Sequence, residues 1–137
     1  MSTNKPVGKT NSQGWQIGVS RTLPISLEQA WEMILDTLGF LPEMLHSQND
    51  TYGKGTTFET ENETHIEIRS HEPYSLLRMK WQPIDWEINS TLQIRVRPAK
   101  TGTTISVHHE WLQDAEHREK MRIYWTDVLE RLKSTVK

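Results

Sequence analysis

Trp15, Ile17, Val19 and Leu23 alternate with Gln16, Ser20 and Thr22 near the start of the chain. A period of two places these sets on opposite faces of a half-buried strand. Pro24 ends the strand, and the spacing lengthens to that of a helix with Leu27, Ala30, Trp31 and Ile34 on one stripe. Ser26 and Gln29 form a capping box that starts this helix, and Gly39 breaks it. The segment FLPEML, apolar at Phe40, Leu41, Met44 and Leu45, predicts a second short helical piece. SQNDTYGKG is dense in turn formers and reads as a loop.

From Thr56 the period returns to two. TTFETEN and THIEIRSH predict two strands around a turn at Glu61 to Glu63, and YSLLRMKW a third with Leu77, Met79 and Trp81 on one face. WEINSTLQIRV reads as a long strand. Trp86, Ile88, Leu92, Ile94 and Val96 face inward, while Glu87, Asn89, Thr91, Gln93, Arg95 and Arg97 face outward. After the hairpin loop PAKTG comes TTISVHHEWL, with Ile105, Val107, His109 and Trp111 inward and Thr104, Ser106, His108 and Glu110 outward. Beyond Asp114 the spacing is helical to about Val136, with Met121, Trp125, Val128, Leu129, Leu132 and Val136 on one face. Glu116 with Lys120, and Asp127 with Arg131, are spaced to pair along this helix.

The expected architecture is α+β: a curved antiparallel sheet of about six strands, two short helices after the first strand, and a long C-terminal helix. A sheet of this kind needs its inner face covered, and only the last helix is long enough. The 137 residues fit one domain. Residues 1–13, polar with Gly, Pro, Ser and Asn, read as a disordered tail, leaving residues 14–137 as the domain.

Composition narrows the function. A formal net charge of -2 gives no basic excess for a phosphate backbone, so nucleic acid is not favoured. With no cysteine, disulfides, thiolate nucleophiles and thiolate metal sites are excluded. No apolar run is long enough to insert in a bilayer, and MSTNKPVGKTNSQG lacks the apolar segment of a secretory signal, so the expected location is cytoplasmic. Six tryptophans are a large aromatic load that must be buried or used.

Several stretches together resemble the SRPBCC superfamily, the START-like or birch-pollen-allergen-like proteins with a helix-grip fold. Within it they resemble the family named for homologues of the activator of the heat-shock chaperone ATPase. These are VSRTLPISLEQAWEMI with Trp31, YGKGTTFET, EPYSLLRMKWQP ending at Trp81, TGTTISVHHEWL, and YWTDVLERLKS. The resemblance covers residues 15–136. It implies a mostly apolar cavity between sheet and long helix, binding lipids, polyketides, flavonoid-like aromatics or other hydrophobic molecules. Family members often carry Gly-Trp in the closing helix where this chain has Tyr124 and Trp125, and a tyrosine there narrows a cavity near the helix middle. The family name also raises a chaperone partner, but the eukaryotic activator has an additional domain that this chain is too short to contain.

VHHEW at Val107–Trp111 invites a metal reading, which its geometry opposes. His-Glu-x-x-His puts both imidazoles on one helical face, whereas HEWLQ has glutamine at the second position. His108 and His109 are strand neighbours and point to opposite faces. No metal site, cofactor or catalytic set is therefore expected. His109, in register with apolar residues, is either a core histidine bonded to a carbonyl or polar neighbour, or a polar anchor in a pocket. The expected ligand-binding residues are Trp31, Phe40, Met44, Met79, Trp81, Trp86, His109, Trp111, Arg118, Met121, Tyr124 and Trp125. Binding of a small hydrophobic ligand is the leading reading. The alternatives are a polyketide cyclase or hydrolase, which needs two ionisable groups converging in the cavity, and a chaperone-regulating module, which needs an exposed apolar patch.

Overall fold

A computed structural model of the protein describes residues 9–10, 14–39, 54–60 and 63–136. The elements run β1 (Lys9–Thr10), β2 (Gly14–Leu23), α1 (Leu27–Thr37), β3 (Thr57–Glu59), β4 (Thr64–Glu72), β5 (Leu76–Pro83), β6 (Ser90–Ala99), β7 (Gly102–Leu112) and a C-terminal helix, here α2 (Ala115–Thr135). The strands form one antiparallel sheet in the order β1-β2-β7-β6-β5-β4-β3. The fold is thus the expected α+β helix-grip, a curved sheet closed by the long helix. β1 pairs with the start of β2 and lies within the stretch expected to be a disordered tail. The expected second helical piece, with Phe40 and Met44, lies outside the described residues.

The caps explain where the helices begin. Ser26 Oγ accepts from the Gln29 backbone N–H while the Gln29 side chain accepts from Ser26, the capping box read from the sequence. Asp114 caps α2 by accepting from the His117 N–H at 2.8 Å. α2 lies across β2 and β7 with Met121, Trp125, Val128 and Leu129 buried. Arg21 reaches from β2 to Glu130 on the helix. The surface pairs Lys120–Glu116 and Arg131–Asp127 form at 3.1 and 2.8 Å, as their spacing predicts. The β6–β7 hairpin turns at Lys100 and Thr101, between Ala99 and its partner Gly102. A Cβ at Gly102 would meet the Leu23 carbonyl oxygen at 2.0 Å, and its φ is +149°, so the position requires glycine.

Two strands depart from the alternation read in the sequence. β6 starts at Ser90 rather than Trp86. Pro83 ends β5, the Trp86 N–H bonds back to the Pro83 carbonyl at 3.0 Å, and Ile88 is left exposed instead of facing inward. In β7, Trp15 pairs with Leu112 but Ile17 pairs with His109, so β7 carries one extra residue, a β-bulge. Trp111 takes φ +59° there. His109 and Leu112 both face the core across the bulge, and Glu110 and Trp111 both turn away from it. Trp111, expected on the core face, is 43% exposed and lies across Gly14. Glu110, expected in solvent, is buried on the outer face beside His108 and Arg78, at 3.1 and 3.7 Å.

Candidate functional site

His109 sits at mid-sheet, with Ile17 of β2 on one side and Leu92 of β6 on the other, and is fully buried. The Trp125 indole N–H donates to its Nδ1 at 3.1 Å. An indole only donates, so Nδ1 is the bare acceptor nitrogen and the proton belongs on Nε2. Nε2 then donates to Ser90 Oγ at 2.8 Å, and Ser90 in turn donates to the Trp81 backbone carbonyl at 2.6 Å. The chain Trp125–His109–Ser90–Trp81 links α2 to three adjacent strands and satisfies every polar atom in it. No buried side-chain nitrogen or oxygen among the described residues lacks a partner.

Aromatic rings enclose the imidazole. Trp86 stacks on it at 5.9 Å with an interplanar angle of 11°. Trp81 and Trp125 present edges at 5.1 and 6.1 Å, and Trp81 also meets Trp86 edge-on at 5.5 Å. Removal from water disfavours the charged ring, as does the neighbouring His108, so the His109 pKa falls to about 3. It is a neutral hydrogen-bonding bridge at ordinary pH. With both nitrogens engaged it has no spare group for proton transfer in this arrangement.

Trp86 is the outermost ring of this group. It is half-buried, comes from the loop between β5 and β6, and is held by Gln82 Nε2 donating to its carbonyl at 2.8 Å. Its other edge meets His117 at 5.4 Å, and His117 Nδ1 lies 2.8 Å from Asp114 Oδ1. The hydrogen bonds from His117 hold the Asp114 carboxyl below the usual range. Trp31 belongs to a second aromatic group, stacked with His71 at 6.3 Å and tilted against Tyr74 at 6.4 Å. Burial lowers the His71 pKa.

Of the residues expected at a site, the structure gathers Trp81, Trp86, His109 and Trp125, while Met79 and Met121 are buried in the same core cluster. Arg118 spans from α2 to β2, its Nε donating to the Gln16 carbonyl at 2.8 Å. Tyr124 lies on the flank of α2, 42% exposed, with its ring against Trp125. Trp31 is buried in the second group, Trp111 is outside the core, and Phe40 and Met44 are outside the described residues. Sequence reasoning missed Ser90 and Asp114, and weighed His117 only as a metal ligand. The signal for Ser90 was a hydroxyl in register with Leu92 and Ile94, an inward polar residue needing a partner. Among the described residues no three His, Asp or Glu side chains group as a metal site, and no helix is long and apolar enough to cross a membrane.

Among curated proteins none matches the sequence. Solved structures match at low identity and show the fold. DynU16, of the dynemicin biosynthetic locus, superposes with a TM-score of 0.69 at 15% identity over 87% of this chain, which spans only 46% of that protein. CV1439 from Chromobacterium violaceum gives 0.63 at 18% identity, with 88% of this chain and 96% of that one covered. The Aha1 dimer from Colwellia psychrerythraea gives 0.61 at 11% identity, covering 88% and 95%. The family model described as "Activator of Hsp90 ATPase homolog 1-like protein" matches residues 24–137, which hold every described element except β1 and β2. The chain therefore belongs to that family, within the START-like superfamily whose helix-grip architecture it shares.

Proposed function

We propose that the protein binds a small hydrophobic molecule, a lipid, polyketide or flavonoid-like aromatic, between the sheet and α2. The observation that carries this reading is the half-buried Trp86 ring, supplied by a loop and stacked flat on a buried, fully bonded imidazole. A flat apolar ligand that slides against or displaces this ring meets Trp81, with Trp125 beside it, and loses little hydrogen bonding. The internal hydrogen bonds of His109 give it a positioning role: they hold Trp125 and β6 in place, so that the wall is preformed. The fold likeness to DynU16, from a biosynthetic locus, favours a small-molecule ligand.

The test is a titration of the full chain with a fatty acid, a flavonoid and an aromatic polyketide, followed through the indole N–H signals in proton–nitrogen NMR. A saturable shift centred on Trp86, Trp81 and Trp125 is expected. Signals unmoved by all three compounds up to their solubility would sink the reading.

A second reading, catalysis of the cyclase or hydrolase type, is favoured by one feature, the His117–Asp114 pair beside Trp86. It requires a ligand first. Turnover of a bound polyketide that vanishes in His117→Ala while binding persists is its expected signature. The chaperone-regulating reading draws on the family name alone.

A further inference from the structure

The net charge of -2 conceals an uneven distribution. Arg78 and Lys80 of β5 and Arg95 and Arg97 of β6 all lie on the sheet face turned away from α2. Their cross-strand registers place them there: Arg78 faces Gln93, Lys80 faces Thr91, Arg95 faces Ser106 and Arg97 faces Thr104. Lys80 Nζ donates to Thr91 Oγ1 at 3.4 Å on that face. The carboxylates nearby are already occupied. Glu110, sunk between Arg78 and His108, offsets Arg78, and Glu67, in register with Lys80, takes up Arg69 at 2.6 Å. Helix α1, by contrast, carries Glu28, Glu32 and Asp36 and no lysine or arginine.

The neighbouring strands keep this face level. Ser20 and Ser106 bond to each other at 2.9 Å, Thr22 and Thr104 at 2.7 Å, and Gly18, opposite His108, has no side chain. Arg95 and Arg97 are exposed beside these short residues. At one end of the same face stands Trp111. The bulge and its φ of +59° turn this ring out of the core, and it lies on Gly14, where a Cβ would come within 2.9 Å of Cε3. A bulge that carries an aromatic ring out of the core is a re-aimed side chain.

We propose that the outer face of the sheet docks on an anionic lipid surface. Lys80, Arg95 and Arg97 supply the attraction, with Arg78 offset by Glu110, and Trp111 seats at headgroup level, where an amphipathic ring is favoured. Four adjacent strands, β2, β7, β6 and β5, make a face about 15 Å across, and its exposed cations complement an anionic surface. This association is peripheral and does not depend on the ligand reading above.

The experiment is co-sedimentation of the full chain with vesicles of phosphatidylcholine alone and of phosphatidylcholine with phosphatidylserine, at low and high salt, with poly-glutamate binding measured in parallel. Binding only to the phosphatidylserine vesicles, lost at high salt, is expected. The doubly substituted Arg95→Gln, Arg97→Gln chain should bind roughly 25-fold more weakly, at about fivefold per cation. Trp111→Ser should weaken vesicle binding, with circular dichroism showing both variants folded. Equal binding to both vesicles, no binding at low salt, or binding to poly-glutamate without vesicles would each overturn the proposal, the last in favour of an acidic protein partner.

Discussion

The indole N–H of Trp125 points at Nδ1 of His109 across 3.1 Å, and this contact decides which imidazole nitrogen carries the proton. The assignment is measurable. Nitrogen NMR of the His109 side chain should show a protonated Nε2 and a bare Nδ1 from pH 7 down to pH 5, and the pattern should become mixed in Trp125→Phe.

Removing either neighbour of His109 should cost stability through an unmet polar group. Ser90→Ala deletes both the acceptor for Nε2 and the donor to the Trp81 carbonyl. An unpaired buried group costs about 1–3 kcal/mol, so a loss near the upper part of that range is expected in urea unfolding. Ser90→Thr, which keeps the hydroxyl, should recover part of it.

Stability should fall with acid partly through His109. Its folded pKa of about 3 lies below the ordinary 6.5. As pH falls below 6.5 the unfolded chain takes up a proton that the folded chain refuses. The stability present above 6.5 is therefore lost on the way down to about 3, by at most ~1.4 kcal/mol per pH unit. Asp114, Glu119 and Glu130 are also held below their usual values and act in the same direction. The difference between native chain and His109→Gln isolates the histidine. Denaturant unfolding between pH 6 and pH 4 should show the smaller slope in the variant.

Trp86 shields His109 on the side of the β5–β6 loop. Trp86→Ala should admit water to the imidazole and raise its pKa toward 6.5, because desolvation is the first cause of the depression. A proton NMR titration of the ring checks this. A midpoint unchanged from the native chain would mean that the other rings alone keep the site dry.

Gly102→Ala should be among the most destabilising single changes. The added methyl meets the Leu23 carbonyl oxygen at 2.0 Å, and the backbone there cannot yield without parting the hairpin from the end of β2. A loss of more than about 3 kcal/mol is expected from such a backbone clash, measured by thermal or urea unfolding.

Local spacing in the chain already carried α1 and its cap, α2 and most of the sheet. Ser26 with Gln29, the alternation of Leu77, Met79 and Trp81, and the stripe Met121, Trp125, Val128 and Leu129 are all found as read. These features rest on interactions within a few residues, or on a burial period that one face of one element enforces. The split of His108 from His109 was legible for the same reason, since neighbours on a strand point apart. The choice between a bonded core histidine and a pocket anchor was not, because the partners of His109 lie nineteen and sixteen residues away, at Ser90 and Trp125.

Only the tertiary structure decided the fate of Trp111, Glu110 and Trp86. A bulge adds one residue to one strand, and nothing in an alternating run marks which residue is extra until the partner strand sets the register. Trp111 consequently leaves the core and Leu112 enters it. Trp86 reaches the His109 cluster from a loop rather than a strand, because Pro83 ends β5 and the turn after it aims the ring inward. By itself the sequence determined α1, α2 and the buried face of most strands. Which aromatic rings meet around His109 depended on pairing between distant segments, whose registers no local pattern encodes.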